Sequence, residues 1–340
     1  MSDLDEVALQ HWMQGAVPDC PVIAGVEKFP GGQSNPTYRI DADGCSYVLR
    51  RQPFGDLLPS AHAVDREYRL ISALYPTGFP VPRPFALCED RGVIGAMFYI
   101  MGMVDGRSFW NGALPDIAKA DRRSYYDAMI DMLARLHMLD HEALGLADFG
   151  RPGNYFQRQV ARWTRQYRAA QTDEITEIER LIEWLPCSAP EQARTSIIHG
   201  DYRIDNLIFA HDRPEILAII DWELATIGDP LADFTYLAMN WIMPADGRSW
   251  LGGLDLAEEG VMTLDQAVER YCLAVGRDRL PDLSWYFAYN LFRMVCILQG
   301  IRKRAADGNA SSREADIMIA KIGPLAREAW NRACMAGAPN

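Results

Sequence analysis

The sequence predicts an α+β fold of two lobes, a small β-rich lobe followed by a larger and mostly helical one. A chain of 340 residues is long enough to bury a large core and to form two lobes. Short apolar runs separated by Gly and Pro fill the N-terminal part, whereas amphipathic runs with helical spacing dominate from Ala118 onward. We therefore predict an N-terminal lobe over residues 1–103 and a C-terminal lobe over residues 104–340.

The N-terminal lobe is predicted to contain two helices and several strands. Leu4–Gln14 is amphipathic and predicts a short first helix. Val64, Tyr68, Ile71 and Leu74 recur at helical spacing and predict a second helix, which a Pro-rich segment ends because proline cannot continue it. The β-rich runs bounded by turn residues predict strands at Val22–Phe29, in the run that follows a Gly-Gly pair up to Ile40, and at Ser46–Arg51, Ala86–Glu89 and Ala96–Met103.

The C-terminal lobe is predicted to be built mainly of amphipathic helices. Asp229 and Pro230 are typical of a helix start, with Asp229 at the N-cap and Pro230 at the first helical position. On that helix, Asp233 is a candidate partner for a buried base such as Arg293. The other predicted helices are Ser124–Leu139, Asn154–Gln171, Leu264–Val275, Leu283–Arg304 and Ser312–Cys334.

Composition and charge are those of an ordinary globular protein and exclude several classes. The 34 basic and 46 acidic residues give a net charge of −12, whereas a nucleic-acid-binding protein normally shows a basic face. The seven cysteines are scattered, which argues against a disulfide framework or a zinc site. The first residues lack the pattern of a signal peptide, and no apolar run is long enough to span a bilayer. We expect a cytoplasmic protein with neither a nucleic-acid nor a membrane partner.

The segment Ile197–Asp233 has the arrangement that magnesium-dependent phosphoryl transfer requires. Asp201 lies in a loop after an apolar run, Asn206 follows five residues later, and Asp221 ends the next apolar run beyond a short hairpin. Oxygen ligands hold the hard cations that a triphosphate needs, so Asn206 and Asp221 are the candidate metal ligands. Asp201 is then free to orient or deprotonate a substrate hydroxyl. Arg203 could reach the transferring phosphate with a fixed positive charge.

This segment resembles the aminoglycoside phosphotransferase family, which consists of small-molecule kinases with a protein-kinase-like fold. HGDYRIDN resembles the family's catalytic loop, and IIDW takes the place of the metal-binding D-F-G of protein kinases. The resemblance implies a protein-kinase-like fold and ATP as phosphoryl donor, with GTP not excluded. It also implies that Asp201 is the catalytic base and that Asn206 and Asp221 bind Mg²⁺. His199 is expected to brace the loop through hydrogen bonds.

A Gly-rich turn near the N-terminus is a candidate phosphate-binding element. Gly31 and Gly32 lie between two β-rich runs, where glycines let backbone N–H groups approach an anion closely. The turn resembles the G-G-x-S-N segment of one branch of the family. That resemblance implies that Ser34 and Asn35 lie over the phosphates.

Three further predictions concern the nucleotide. Strand alternation puts Arg50 on the same face as Val48, at the place where kinases have a phosphate-binding Lys held by a helix Glu. Arg50 can bind phosphate bidentately, although the two side chains are not interchangeable. Glu67 is its predicted partner, and the alternative is that both are surface charges. The resemblance also implies that the backbone from Met101 to Met103 receives the adenine edge.

The resemblance is closest to the branch of the family found beside, or fused to, acyl-CoA dehydrogenases. Segments such as GGQSNPTYRI, YVLRRQP and IDWELATIGDPLADF carry it. It implies a hydroxylated small molecule as acceptor, such as a hydroxyacyl thioester, with a true aminoglycoside as the alternative. Arg158, Arg162 and Arg165 share a helix face that could meet a charged substrate, and a CoA conjugate needs such basic residues. A silent nucleotide-binding pseudokinase is a second alternative, although Asp201, Asn206 and Asp221 are all present.

Overall fold

The computed structural model describes residues 4–30, 35–55, 62–307 and 313–339. Its N-terminal lobe is a five-stranded antiparallel sheet with strand order β1-β2-β3-β5-β4. The strands are β1 Ile23–Lys28, β2 Thr37–Ala42, β3 Cys45–Arg51, β4 Pro84–Cys88 and β5 Phe98–Gly102. Two helices accompany the sheet, α1 Glu6–Ala16 and α2 Val64–Leu74.

The two faces of the sheet belong to different cores because side chains alternate along each strand. On β3, Tyr47 and Leu49 pack in a small cluster with α1. Val48 belongs instead to the large cluster that includes α2 and most of the helical lobe. Since Arg50 lies two residues after Val48, the alternation places its side chain on the α2 side of the sheet.

The C-terminal lobe contains most of the helices and two small antiparallel sheets. β6 Ser196–Ile198 pairs with β9 Thr226–Gly228, and β7 Leu207–Phe209 pairs with β8 Ile216–Ile219. The helices are α3 Lys119–Met138, α4 Tyr155–Ala170, α5 Thr176–Ser188, α6 Leu231–Ile242, α7 Leu256–Glu259, α8 Leu264–Ala274, α9 Ser284–Ala306, α10 Arg313–Ala320 and α11 Ile322–Met335. The predicted α+β, two-lobed fold is confirmed. The boundary at residue 103 stays a prediction.

Several predicted elements differ in detail from the structure. The predicted helix Ser312–Cys334 is two helices, α10 and α11, which meet at Lys321. Helix α5 was not predicted, although Ile178, Leu181 and Leu185 recur at helical spacing and are buried. Among the described residues, no helix combines the length and the apolar character that a membrane span requires.

Helix α6 begins at Leu231, two residues after the predicted N-cap. Asp229 still caps it, since its Oδ1 accepts a hydrogen bond from the Leu231 N–H at 2.9 Å. Asp229 is 3% exposed, and this burial raises its pKa to about 6, although the Leu231 N–H and the charge of Arg277 oppose the shift. The carboxylate is therefore a buried charge at neutral pH.

We expect the variant Asp229→Asn to be more stable than the native chain at neutral and alkaline pH. An acid whose pKa is raised on folding contributes stability while it is protonated, and this contribution is lost as the pH rises through the folded pKa of about 6. Asn keeps an oxygen for the Leu231 N–H but carries no charge. Urea unfolding measures the free energy of unfolding of both chains. The value for the variant minus the value for the native chain should grow by roughly 1 kcal/mol between pH 5 and pH 8.

The control for this pH experiment is Asp116→Asn, which removes an exposed carboxylate elsewhere in the same lobe. The difference in free energy of unfolding between this control and the native chain should stay constant between pH 5 and pH 8. If the difference for Asp229→Asn were equally constant, Asp229 would not titrate in this range.

Candidate active site

A backbone hydrogen bond joins the two halves of the segment Ile197–Asp233. The Ile220 N–H donates to the Asn206 carbonyl at 3.0 Å. The His199 side chain accepts the Asp201 N–H at Nδ1, 3.2 Å away, and its Nε2 lies 2.9 Å from the Ile220 carbonyl. Because Nδ1 accepts a hydrogen bond, the proton of the neutral imidazole lies on Nε2. Nε2 therefore donates to the Ile220 carbonyl. His199 thus links the loop that carries Asp201 to the strand end that carries Asp221, as predicted for a bracing residue.

Asp201 is held by its own loop. The Asn206 amide Nδ2 donates to the Asp201 carbonyl at 2.9 Å and to its carboxylate Oδ2 at 3.2 Å. The Arg203 Nε lies 3.4 Å from the other carboxylate oxygen. Burial by itself would raise the pKa of Asp201, but the charge of Arg203 and a hydrogen bond from Tyr236 outweigh it and lower the pKa. The carboxylate is ionised at neutral pH and can accept a hydrogen bond from a hydroxyl group.

Arg203 lies between two carboxylates, one of which sequence analysis missed. Its Nη2 is 2.7 Å from the Asp205 Oδ2, and the Asp205 side chain is 7% exposed. Burial raises the pKa of Asp205, and the charge of Arg203 opposes that shift. Asp205 lies inside the HGDYRIDN motif at one of its variable positions, so the spacing alone does not single it out.

The catalytic loop is also held from the helix side. The Asp233 carboxylate accepts the N–H groups of His199 and Gly200 at 2.5 and 2.8 Å. Arg293 donates through Nη2 to the Gly200 carbonyl. The prediction that Asp233 pairs with Arg293 is therefore wrong, because each binds a different group of the loop backbone. Gly200 has a φ of +84°, and a Cβ there would lie 2.6 Å from the Leu224 carbonyl oxygen, so only glycine fits.

Arg50, Glu67 and Asp221 meet between the lobes. The Arg50 Nε and Nη2 atoms lie 2.8 and 3.1 Å from the two Glu67 carboxylate oxygens, and Nη2 also lies 2.5 Å from the Asp221 Oδ1. The Arg50 and Glu67 side chains are 11% and 1% exposed, so the alternative that they are surface charges is wrong. Burial by itself would lower the pKa of the Arg50 guanidinium. The negative charges of Glu67 and Asp221 outweigh this effect of burial and raise the pKa.

The carboxylates here fit a hard divalent cation. Oxygens of Glu67, Asp221 and Glu223 lie within 4.8 Å of one another. Asp221 adopts a left-handed backbone with a φ of +66°, which is uncommon for a residue other than glycine. In this structure Asp221 binds the positive charge of Arg50, and its oxygen chemistry is that of a Mg²⁺ ligand. Sequence analysis missed Glu223, which follows Asp221 by two residues.

Asn35, which follows the predicted Gly-rich turn in sequence, contacts this cluster. It is fully buried, its Nδ2 donates to the Glu223 Oε2 at 3.2 Å, and its Oδ1 lies 3.1 Å from the His62 Nδ1. The predicted phosphate-binding residues Gly31, Gly32 and Ser34 lie outside the described residues. Asn35 is thereby placed beside the acidic cluster, and its contact with phosphate stays a prediction.

The predicted adenine-binding segment lies at the end of β5. Met101 is buried, and Met103 is exposed. The Gly102 and Met103 N–H groups donate to the carbonyls of Arg83 and Ser46 at 2.8 and 3.2 Å. Neither of these N–H groups is therefore available to an adenine edge. An adenine contact of Met101–Met103 stays a prediction for the other backbone groups of the segment.

Fold and site together define a kinase-type phosphotransferase with a two-lobed, protein-kinase-like fold. The model of the phosphotransferase enzyme family matches residues 25–271, and the chain belongs to this family. It is 42% identical over 312 residues to acyl-CoA dehydrogenase family member 10 of Mus musculus. The match covers 91% of this chain and 29% of that relative, so the chain spans less than a third of its length.

Solved structures show the same fold. A Ralstonia eutropha protein described as a candidate aminoglycoside phosphotransferase is 41% identical, with a TM-score of 0.88 over 98% of this chain and 99% of that one. Spectinomycin phosphotransferase, in complex with ADP and spectinomycin, has a TM-score of 0.64 at 12% identity, covering 96% of this chain and 97% of that chain. The second likeness concerns the fold alone.

Proposed function

We propose that this chain transfers the γ-phosphoryl group of ATP to a hydroxyl group of a small metabolite, with a hydroxyacyl thioester of CoA as the preferred acceptor. The proposal rests on one observation: hydrogen bonds made by His199 and Ile220 join two clusters of side chains. One cluster is the ionised Asp201 with Arg203 and Asn206. The other is Asp221 with Arg50 and Glu67. In this proposal the first cluster supplies the base and the second supplies the phosphate-binding group.

The contacts of each side chain support a specific role in this proposal. Asp201 orients the acceptor hydroxyl and receives its proton, while the Asn206 amide holds the carboxylate in place. Arg50, fixed by Glu67, binds the phosphates of the nucleotide with its guanidinium. Asn206 and Asp221 would hold Mg²⁺, which when bound neutralises the charge of the phosphates and of the transferring group. Arg203 adds a fixed positive charge beside Asp201.

The acceptor class is supported by the relatives of the chain. The relative at 42% identity is a much longer protein of the acyl-CoA dehydrogenase family, a name that connects this kinase with thioester substrates. The likeness to a candidate aminoglycoside phosphotransferase at 41% identity favours an aminoglycoside as the second candidate acceptor. Fold alone does not separate the two, since one fold serves many acceptors.

Turnover of a panel of acceptors by the full chain tests this proposal. ATP consumption with Mg²⁺ should be measured against hydroxyacyl-CoA compounds, aminoglycosides and simple sugars. We expect kcat/KM for a hydroxyacyl-CoA to exceed that for the other two classes by at least about tenfold, because a pocket built for one acceptor leaves the others poorly oriented. Preferred turnover of an aminoglycoside would overturn the acceptor class, and no turnover of any hydroxyl compound would overturn the kinase assignment.

A further inference from the structure

A cavity of about 700 Å³ in the C-terminal lobe, bounded on one side by α2, is lined by arginines. Helix α2, the segment 148–151, helix α4 and strand β9 form its walls. Asp148 is the one carboxylate among its lining residues. Five basic side chains line this arginine cavity, namely those of Arg66, Arg151, Arg158, Arg162 and Arg165. This concentration of positive charge stands out in a chain whose net charge is −12.

The single carboxylate on its wall is too little to neutralise the charge of the arginine cavity. Asp148 binds Arg69, which lies outside the cavity, with an Nη1–Oδ2 distance of 3.1 Å. Arg66 donates to the Phe149 carbonyl at 2.6 Å and Arg158 to the Arg151 carbonyl, so both use neutral acceptors. Across the described part of the chain, none of the five arginines forms an ion pair with a carboxylate.

The half-buried arginines of the cavity also repel their neighbours. Burial lowers the pKa of Arg66, and the positive charges of Arg69 and Arg162 act in the same direction against the pull of nearby carboxylates. Burial likewise lowers the pKa of Arg158, with Arg151 acting in the same direction. Like charges held this close favour an anion between them, because an anion removes the repulsion.

The cavity adjoins the strand pair that leads into the loop carrying Asp201. Thr226 and Ile227 on its wall belong to β9, which pairs with β6, the strand that runs into the catalytic loop. A Cβ on Gly150 would lie 2.6 Å from the Ile227 nitrogen, so glycine allows the 148–151 segment to lie directly against β9. Within the described ranges, none of the residues predicted to bind nucleotide or metal lines the cavity.

We propose that the arginine cavity binds the phosphate groups of the acceptor, at the end away from the reacting hydroxyl. The assignment to the acceptor rests on the proposed kinase function. Guanidinium groups match phosphate oxygens bidentately, and five of them suit a ligand with several negative charges, such as the phosphate-bearing end of a CoA thioester. A polycationic aminoglycoside would be repelled by the same side chains. The cavity therefore selects for an anionic acceptor.

Binding of CoA to the full chain, measured by calorimetry with saturating ADP and Mg²⁺, tests the proposal. ADP occupies the nucleotide site, so that the adenosine part of CoA cannot bind there. We expect the double variant R162A/R165A to bind CoA at least about tenfold more weakly, because two charge-assisted hydrogen-bonding groups are lost. Dephospho-CoA, which lacks one phosphate, should bind the native chain more weakly than CoA does. Both substituted side chains are exposed, so folding should be unaffected.

The matched control is Arg327→Ala, which removes an exposed arginine from α11, outside the cavity lining. It should bind CoA as the native chain does, and all variants should keep their affinity for ADP. Equal CoA affinity in R162A/R165A and Arg327→Ala would overturn the proposal, and so would binding of pyrophosphate without binding of CoA. Because the measurement is binding rather than turnover, CoA binding would still be detected if the chain proved not to be a kinase. If the cavity proved not to bind CoA, turnover of ATP by the native chain would not be affected.

Discussion

Replacing Asp201 with Asn is expected to lower kcat for phosphoryl transfer by at least about a hundredfold. Asn has the same shape but cannot take the proton of the acceptor hydroxyl. The affinity for ADP should stay within about twofold, because the Arg50, Glu67 and Asp221 contacts do not involve the Asp201 side chain. Steady-state turnover with the preferred acceptor measures the first effect, and a thermal shift with ADP and Mg²⁺ measures the second.

The control for this variant is Asp212→Asn, an exposed residue on the hairpin between β7 and β8 that forms an ion pair with its neighbour Arg213. It should retain the turnover of the native chain. Turnover by Asp201→Asn above about a tenth of the native value would contradict its assignment as the base. A native chain that binds ADP but turns over no acceptor would instead be the silent nucleotide-binding protein considered as an alternative.

Replacing Asp233 with Ala should lower the free energy of unfolding by about 3 kcal/mol or more. The carboxylate is 1% exposed and accepts two backbone N–H groups, those of His199 and Gly200, so its loss leaves two buried donors without an acceptor. The same groups position the loop that carries Asp201, and we expect turnover to fall together with stability. Urea unfolding followed by tryptophan fluorescence measures the stability, and turnover below the unfolding range measures the activity.

Asp233→Asn is the matched comparison, because it keeps one acceptor oxygen while it removes the charge. It should lose less stability than Asp233→Ala, since one of the two N–H groups retains a partner. Equal stability of the native chain and Asp233→Ala would mean that the loop finds other acceptors. The Asp233 carboxylate would then not be what holds the catalytic loop in place.

Local sequence patterns predicted the parts of the site that depend on local geometry. The spacing of Asp201, Arg203 and Asn206 places them in one turn of chain, and the structure finds all three in contact. Alternation along β3 predicts the side of the sheet on which Arg50 lies, and a helical stripe predicts where Glu67 lies on α2. These predictions succeed because the period of a strand or helix determines the face on which each side chain lies.

Other contacts were missed because they join elements far apart in the chain. Glu223 meets Asn35 across 188 residues, and Asp233 meets the loop backbone rather than Arg293. The arginine face of α4 was visible in the sequence, but the position of Arg66 opposite it was not. No periodic pattern encodes such pairs, since they depend on how whole elements pack.

The sequence by itself determined which chemical groups are present: the carboxylates and amide of a predicted base and cation site, and an arginine where kinases usually have a lysine, all in short segments with diagnostic spacing. The tertiary structure decided which of these groups share a cleft and which other charges surround them. The physical reason is that charges act through space over a few ångströms. Their partners are therefore set by the packing of helices and strands against one another, which local residue order does not specify.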